Sequence, residues 1–163
     1  MMPRKILLCG HPLLRKKSRP VKAVDNNIRK LVREMADTMY ANKGAGLAAV
    51  QIGELKRMIV VDITEQKNQL MVFLNPKIIE KKGERIGIEA CLSVPGFEGE
   101  VVRSDYVLVK ARNLQFEEII VEAEGYLAVA LQHEIDHCDG ILYVDKVREG
   151  HLRPISEEDE DDL

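Results

Sequence analysis

No apolar run in this sequence approaches the ~20 residues that a bilayer-spanning helix needs. The basic start, Met1 to Gly10, holds an apolar stretch only from Ile6 to Cys9, whereas a secretory leader needs about 7 to 15 residues. Neither a spanning helix nor a leader is therefore expected. The chain is expected to be cytoplasmic, with no membrane partner. Cysteine is scarce and odd in number: Cys9, Cys91 and Cys138. That argues against a disulfide framework and leaves free thiols or a metal ligand. Histidine is nearly as sparse. Of His11, His133, His137 and His151, the first and last sit in polar arm and tail segments and are read as surface groups. The last eight residues hold six acids and no base, and the rest of the chain carries 24 bases against 21 acids. The net charge of -3 thus belongs to the tail, and the body is weakly basic.

What is present suits one soluble domain. The chain has 163 residues, 45% hydrophobic and 31% charged, with no internal repeat. Residues 1–24 read as an irregular arm punctuated by Pro12 and Pro20. Asp25 to Lys43 reads as a helix, because Ile28, Leu31, Val32, Met35 and Met39 share one face. Gly44-Ala-Gly46 ends it, with glycines that allow φ > 0 or close backbone approach. Strands are expected over Arg57–Ile63 and Leu70–Leu74, the latter stopped by Asn75-Pro76. A short strand is expected over Lys77–Lys82, and a long one over Val101–Arg112 that pairs with Phe116–Ala123 as a hairpin. Gly125 opens a helix that is apolar on most sides and hence buried. Ile141–Val144 reads as a last short strand. Residues 1–147 form the expected catalytic domain, and 148–163 an acidic, disordered tail.

The buried helix carries the chemistry. His133 and His137, four residues apart, lie on one helical face and can grip one metal ion, while Glu134 beside them can handle a proton. A zincin with a third histidine after Gly140 is disfavoured, because position 143 is Tyr. A third ligand must come from elsewhere. Cys138 is turned about 100° around the helix from His137. Cys9 in the arm reads as a packed thiol. Cys91 lies where a strand-like segment meets the turn Val94-Pro95-Gly96, with the Leu92 N–H free to face a cleft. A Cys-His-His set with one open position is a candidate catalytic site.

Three separated stretches resemble the peptide deformylase family: Gly44-Ala-Gly-Leu-Ala-Ala-Val-Gln51, Glu89-Ala-Cys-Leu-Ser93 and His133-Glu-Ile-Asp-His137. The resemblance covers roughly residues 4 to 147. It implies an α+β fold with antiparallel sheets packed around a central metal-binding helix. It also implies removal of the formyl group from the N-terminal formylmethionine of new chains. On that resemblance Cys91, His133 and His137 hold the metal, Glu134 is the general base and acid, and Gln51 and the Leu92 N–H stabilise the oxyanion. Gly44, Ala45, Gly46, Glu89, Ala90 and Val129 line the substrate site, with the peptide added as a strand. The ion implied is one Fe2+, with Zn2+, Ni2+ or Co2+ able to occupy the same donors. Glu89 with Arg103 reads as a supporting pair, and Asp136 as a structural hydrogen-bonder.

The sequence also departs from the family pattern. Ala90 replaces a glycine at the pocket wall, which would narrow the pocket, or strain the strand if φ > 0 is needed there. Val129 and Glu98 stand where arginines are common, Val50 where proline or threonine is, and Cys138 replaces a core leucine. An enzyme of altered or low activity and a non-catalytic metal-binding module are the rival readings. The partners expected are N-formylmethionyl nascent peptides, with ribosome contact weak or transient at most and no nucleic acid, because the acidic end repels phosphates.

Overall fold

The computed structural model describes residues 3–156. Eight strands and two helices follow in chain order: α1 (Asn26–Ala41), β1 (Gly46–Ala48), β2 (Met58–Val61), β3 (Met71–Lys82), β4 (Arg85–Cys91), β5 (Val94–Arg103), β6 (Tyr106–Arg112), β7 (Glu118–Glu124), α2 (Gly125–Cys138) and β8 (Val147–Pro154). The fold is α+β, as expected. A five-stranded sheet has the order β1-β2-β3-β6-β7 and a three-stranded sheet the order β4-β5-β8. All pairings within them are antiparallel.

At β2 the five-stranded sheet is covered on both faces. Along β2, Ile59 and Val61 join α2's Ala128, Leu131 and Ile135, while Met58 and Val60 join α1's Leu31, Met35 and Met39. A strand buried on both faces reads as a continuous apolar run, which is what Met58-Ile-Val-Val61 is. The apolar stripe of α1 is buried as its spacing requires, and the Asp25 carboxylate accepts from the Ile28 N–H at 2.9 Å to cap its start. The three-stranded sheet closes over the other side of α2. The helix is therefore enclosed, and no described helix is long and apolar enough to cross a membrane.

Several expectations are corrected here. Asn75-Pro76 does not stop the second strand. β3 runs through both residues with a register shift, and Asn75 takes φ 52. Its side chain donates to Val21 O and accepts from Val21 N, each at 2.7 Å, which holds the strained residue in place. The single strand expected over Val101–Arg112 is two. The break falls at Ser104-Asp105, where Gln132 of α2 accepts from Ser104 N at 3.0 Å and donates to Ser104 O at 2.8 Å. A helix side chain thus replaces the strand ladder. Tyr143–Asp145 is a 3-10 turn and not a strand, because Asp145 caps Leu142 N and pairs with Arg15. Residues from 148 are not tail at the outset. β8 pairs with β5, supported by Arg148 and His151 on Glu100 and by Arg153 on Glu98. The acidic residues 157–163 lie outside the described residues. Cys9 is exposed, contrary to the packed thiol expected, and Cys138 is buried.

Asp62, at the end of β2, holds the segment before β1. Its N–H donates to Ala45 O at 2.9 Å. Its carboxylate accepts from Tyr40 Oη at 2.7 Å, Thr64 N at 2.9 Å and Gln69 N at 3.1 Å. Burial alone would raise this carboxyl. The hydrogen bonds from the Thr64 and Tyr40 hydroxyls and from the Thr64 and Gln69 amides outweigh it and bring the carboxyl down to about 2. A depressed folded value contributes stability above the unfolded value of 3.8, and that stability is lost as pH falls toward 2. Asp62→Asn should therefore cost about 1–3 kcal/mol at pH 7, with the deficit shrinking between about pH 4 and pH 2. Urea unfolding across that range checks this; a deficit independent of pH would refute it.

Candidate metal centre

α2 begins without a loop. Gly125, at φ 60, turns the chain out of β7, and its N–H donates to Asp105 O at 3.1 Å. The helix then passes between the two sheets, which buries Glu134 and His137 on it. β4 and β5 form a hairpin whose turn is Leu92-Ser93, two residues earlier than the turn expected at Val94-Pro95-Gly96. The shift puts Cys91 at the very end of β4, beside α2.

There Cys91, His133 and His137 bring one donor atom each to within 4.8 Å of one another. Cys91 Sγ lies 3.4 Å from His137 Nε2. The two imidazole rings are 5.1 Å apart at 67°. A tetrahedral ion with bonds of about 2.3 Å to sulfur and about 2.05 Å to nitrogen separates those donors by about 3.6 Å. The donor set thus fits a divalent transition metal in both chemistry and spacing. Cys138 belongs to the α2 core, where burial pushes its thiol up to about 12. Exposed Cys9 is not in the cluster.

The second ring nitrogens are arranged differently. His133 Nδ1 lies 2.8 Å from Glu89 Oε1, which leaves Nε2 for the cluster. Glu89 is gripped on both oxygens by Arg103 Nε and Nη2, each at 2.8 Å. Arg103 Nη1 reaches Asp136 at 2.6 Å, and Lys146 Nζ meets Asp136 at 2.9 Å. Burial would raise the Glu89 carboxyl, but the bonds from Arg103 and His133 bring it down to about 2. His137 is held well below its ordinary value, first by burial and then by the charges of His133 and Arg103. Its Nε2 lies 3.9 Å from Glu134 Oε1, beyond hydrogen-bond distance. Tyr143 stacks on His133 at 5.9 Å and donates to Phe97 O at 3.2 Å.

Glu134 is 4% exposed, and its Oε1 has no hydrogen-bond partner among the described residues, nor has His137 Nδ1. Burial, aided by the Glu89 and Asp136 charges, raises the Glu134 carboxyl to about 7. Its other side is walled by Gly46, where an added Cβ would stand 2.5 Å from Glu134 Oε2. An added Cβ at Gly44 would stand 2.8 Å from Leu92 Cδ1. Neither glycine takes positive φ, so these two residues serve close approach and not a left-handed turn. Gln51, on a 3-10 turn (Ala49–Ile52), accepts from Ala48 N at 2.9 Å and donates to Ser93 Oγ at 3.0 Å. Its Nε2 lies 3.6 Å from Cys91 Sγ. Ser93 was not singled out as a site residue, although it closes the second motif. Its hydroxyl orients the Gln51 amide.

The remaining expected site residues divide. Gly44, Ala45 and Gly46 lie half-buried opposite Leu92 and Glu134, and Val129 is half-buried one turn before His133. Ala90 is exposed on β4 and does not take positive φ, so the strain considered for it is absent. Glu89, expected both to line the substrate site and to pair with Arg103, forms that pair and also meets His133 with its carboxylate. Glu98 is tied to Arg153.

The family model for polypeptide deformylase matches residues 3–152. A peptide deformylase of Carboxydothermus hydrogenoformans is 54% identical over 142 residues, covering 87% of this chain and 91% of that one. One from Acetivibrio thermocellus is 52% identical, covering 85% and 79%. The crystal structure of a peptide deformylase from Legionella pneumophila superposes with a TM-score of 0.87 at 44% identity, covering 90% of this chain and 87% of that one. That from Thermotoga maritima gives 0.87 at 37%, covering 91% and 99%. Sequence and fold agree over nearly the whole described chain, which belongs to the peptide deformylase family.

Proposed function

We propose that the chain is a metal-dependent hydrolase that removes the formyl group from N-formylmethionyl peptides in the cytoplasm. Cys91, His133 and His137 would hold one divalent ion. The observation that carries this reading is the convergence of those three donors beside a buried carboxyl whose Oε1 has no hydrogen-bond partner among the described residues. A divalent cation held there supplies Lewis-acid activation of water at neutral pH. We assign iron(II), on the resemblance of the motifs; zinc, nickel and cobalt suit the same donors.

The chain's own groups perform the rest. Glu134, with a carboxyl near neutrality, takes a proton from the attacking water and delivers it to the amine that departs, since an amine cannot leave as an anion. Gln51 presents Nε2 toward the centre, its amide orientation set by Ala48 N and Ser93 Oγ. With the Leu92 N–H, it stabilises the oxyanion that develops on the formyl oxygen as water attacks the formyl carbon. Gly44, Ala45 and Gly46 offer backbone to the peptide as to an added strand. Ala90 and Val129 border the same cleft. Glu89 and Arg103 position His133.

Three experiments test these roles. Glu134→Gln should lower kcat for formate release from formyl-Met-Ala by about 10³-fold while keeping its metal. Turnover within tenfold of the parent would remove Glu134 from the mechanism. Gln51→Leu should cost about 10²–10³ in kcat with KM little changed; a loss confined to KM would make Gln51 a ground-state binding residue. Arg103→Met removes both fork bonds from the buried Glu89 carboxylate, which then keeps only the His133 ring, and leaves Asp136 with Lys146 alone. It should destabilise the fold by about 3–5 kcal/mol and weaken metal retention about 10–100-fold. Equilibrium unfolding and competition with a chelator read the two effects, and unchanged metal retention would deny Arg103 its positioning role.

A further inference from the structure

The first acid in the chain is Asp25, and the 24 residues before it carry seven bases. Arg4 and Arg15 are used internally, in pairs with Glu34, Glu54 and Asp145. Lys16, Lys17, Arg19 and Lys22 are exposed and have no ion-pair partner among the described residues. Their backbone is pinned to the body. Ser18 N donates to Cys138 O at 2.8 Å, Arg19 N to Leu55 O at 2.9 Å, and Arg57 N to Arg19 O at 2.8 Å. Val21 is clasped by the Asn75 amide on both sides. These cations therefore stand on a rigid rail, and no backbone ordering is needed for a ligand to meet them.

The positive surface continues beyond the arm. Arg19 bridges to Lys56, a further cation with no acidic partner among the described residues. Asn75 also lines an open cavity of about 320 Å³ with Lys77 and Lys110, which are directly opposed on β3 and β6. Like charges so placed repel. Lys110 is relieved by Glu118 at 3.6 Å, but Lys77 has no such partner among the described residues. Lys110 alternates with Val109 and Ala111, which pack with the α2 residues. It therefore projects from the opposite face of the sheet, with the sheet between it and the metal centre.

We propose that Lys16, Lys17, Arg19, Lys22, Lys56 and Lys77 form a docking surface for the phosphate backbone of RNA. Charge complementarity argues for a polyanion. RNA is favoured over a lipid surface because the other side chains from Lys16 to Lys22 are Ser18, Pro20 and Val21, none a large exposed apolar group, and the large exposed apolar residue lining the Lys77 cavity is Ile79 alone, too little apolar area to insert. The expectation of no nucleic acid rests on the acidic end, whose six acids stand at 157–162, far along the chain from the arm. RNA bound to this surface leaves the cleft open.

The test is fluorescence anisotropy of the full chain with a labelled 20-nucleotide single-stranded RNA between 50 and 200 mM KCl. Four to five phosphate contacts predict a slope of log K on log salt of about -3, a loss of about 60-fold over that range. The K16Q/K17Q/R19Q/K22Q variant should bring the slope to about -1 or shallower and bind at least tenfold more weakly at 50 mM. The K67Q/K81Q variant should bind within twofold of the parent. Removing residues 157–163 should tighten binding. Formate release from formyl-Met-Ala should be unchanged in the arm variant, which separates this proposal from the catalytic one. Parental binding by the arm variant would overturn it. So would the absence of salt-dependent binding, or tighter arm-dependent binding to phosphatidylglycerol vesicles than to RNA.

Discussion

The hydrogen bond between His133 Nδ1 and Glu89, at 2.8 Å, is the contact on which the centre depends. It joins α2 to the β4-β5 hairpin, and so joins the element that carries two donors to the one that carries the third. A carboxylate buried this deeply is costly without partners. Arg103 supplies both fork bonds, and Asp136 and Lys146 extend the network to the surface. The pair does not have to stabilise the fold relative to an apolar alternative. What it does is fix the tautomer and rotation of one imidazole, which lets Cys91 arrive at the right distance from the other.

A second constraint is closeness of approach. β1 lies so near α2 that Gly46 has no room for a methyl group beside Glu134, and Gly44 has little beside Leu92. The result is a carboxyl enclosed by backbone, raised to about 7 by that enclosure, with one oxygen that has no hydrogen-bond partner among the described residues. Packing and proton chemistry are therefore one arrangement here. The same apolar enclosure that makes α2 a core helix tunes its glutamate for neutral pH. Gln51 is treated in the opposite way: both ends of its amide are satisfied by Ala48 and Ser93. A group that must titrate is left open, and a group that must point is tied down.

Charge is distributed by position more than by sum. Bases without acids open the chain, acids without bases close it, and the strands between them carry mixed, mostly paired charges. β8 shows why composition misleads near such boundaries. Its side chains are nearly all exposed, so it resembles tail in sequence. Yet Glu98 and Glu100 on β5 meet Arg153, Arg148 and His151 across the strands, and these cross-strand pairs hold an edge strand that buries little.

The local chemistry of the centre was legible in sequence because it depends on short spacings. The i, i+4 histidines share a helical face, the glycines flank a small residue, and the apolar period of α1 is that of a half-buried helix. The long-range partners were not. Nothing in the sequence neighbourhood of Ser104 says that Gln132 will satisfy its backbone and split one strand into two. Nor does Asn75 show that Val21 will hold it at φ 52 and let β3 continue through Pro76. Glu89 is paired with Arg103 at the sequence level only through the family resemblance, and nothing there shows that its other contact is His133. By itself the sequence determined which residues carry the chemistry and the faces on which they lie. The tertiary structure decided which buried polar groups meet, because a buried polar group must find its partner wherever the fold brings one, however far away along the chain.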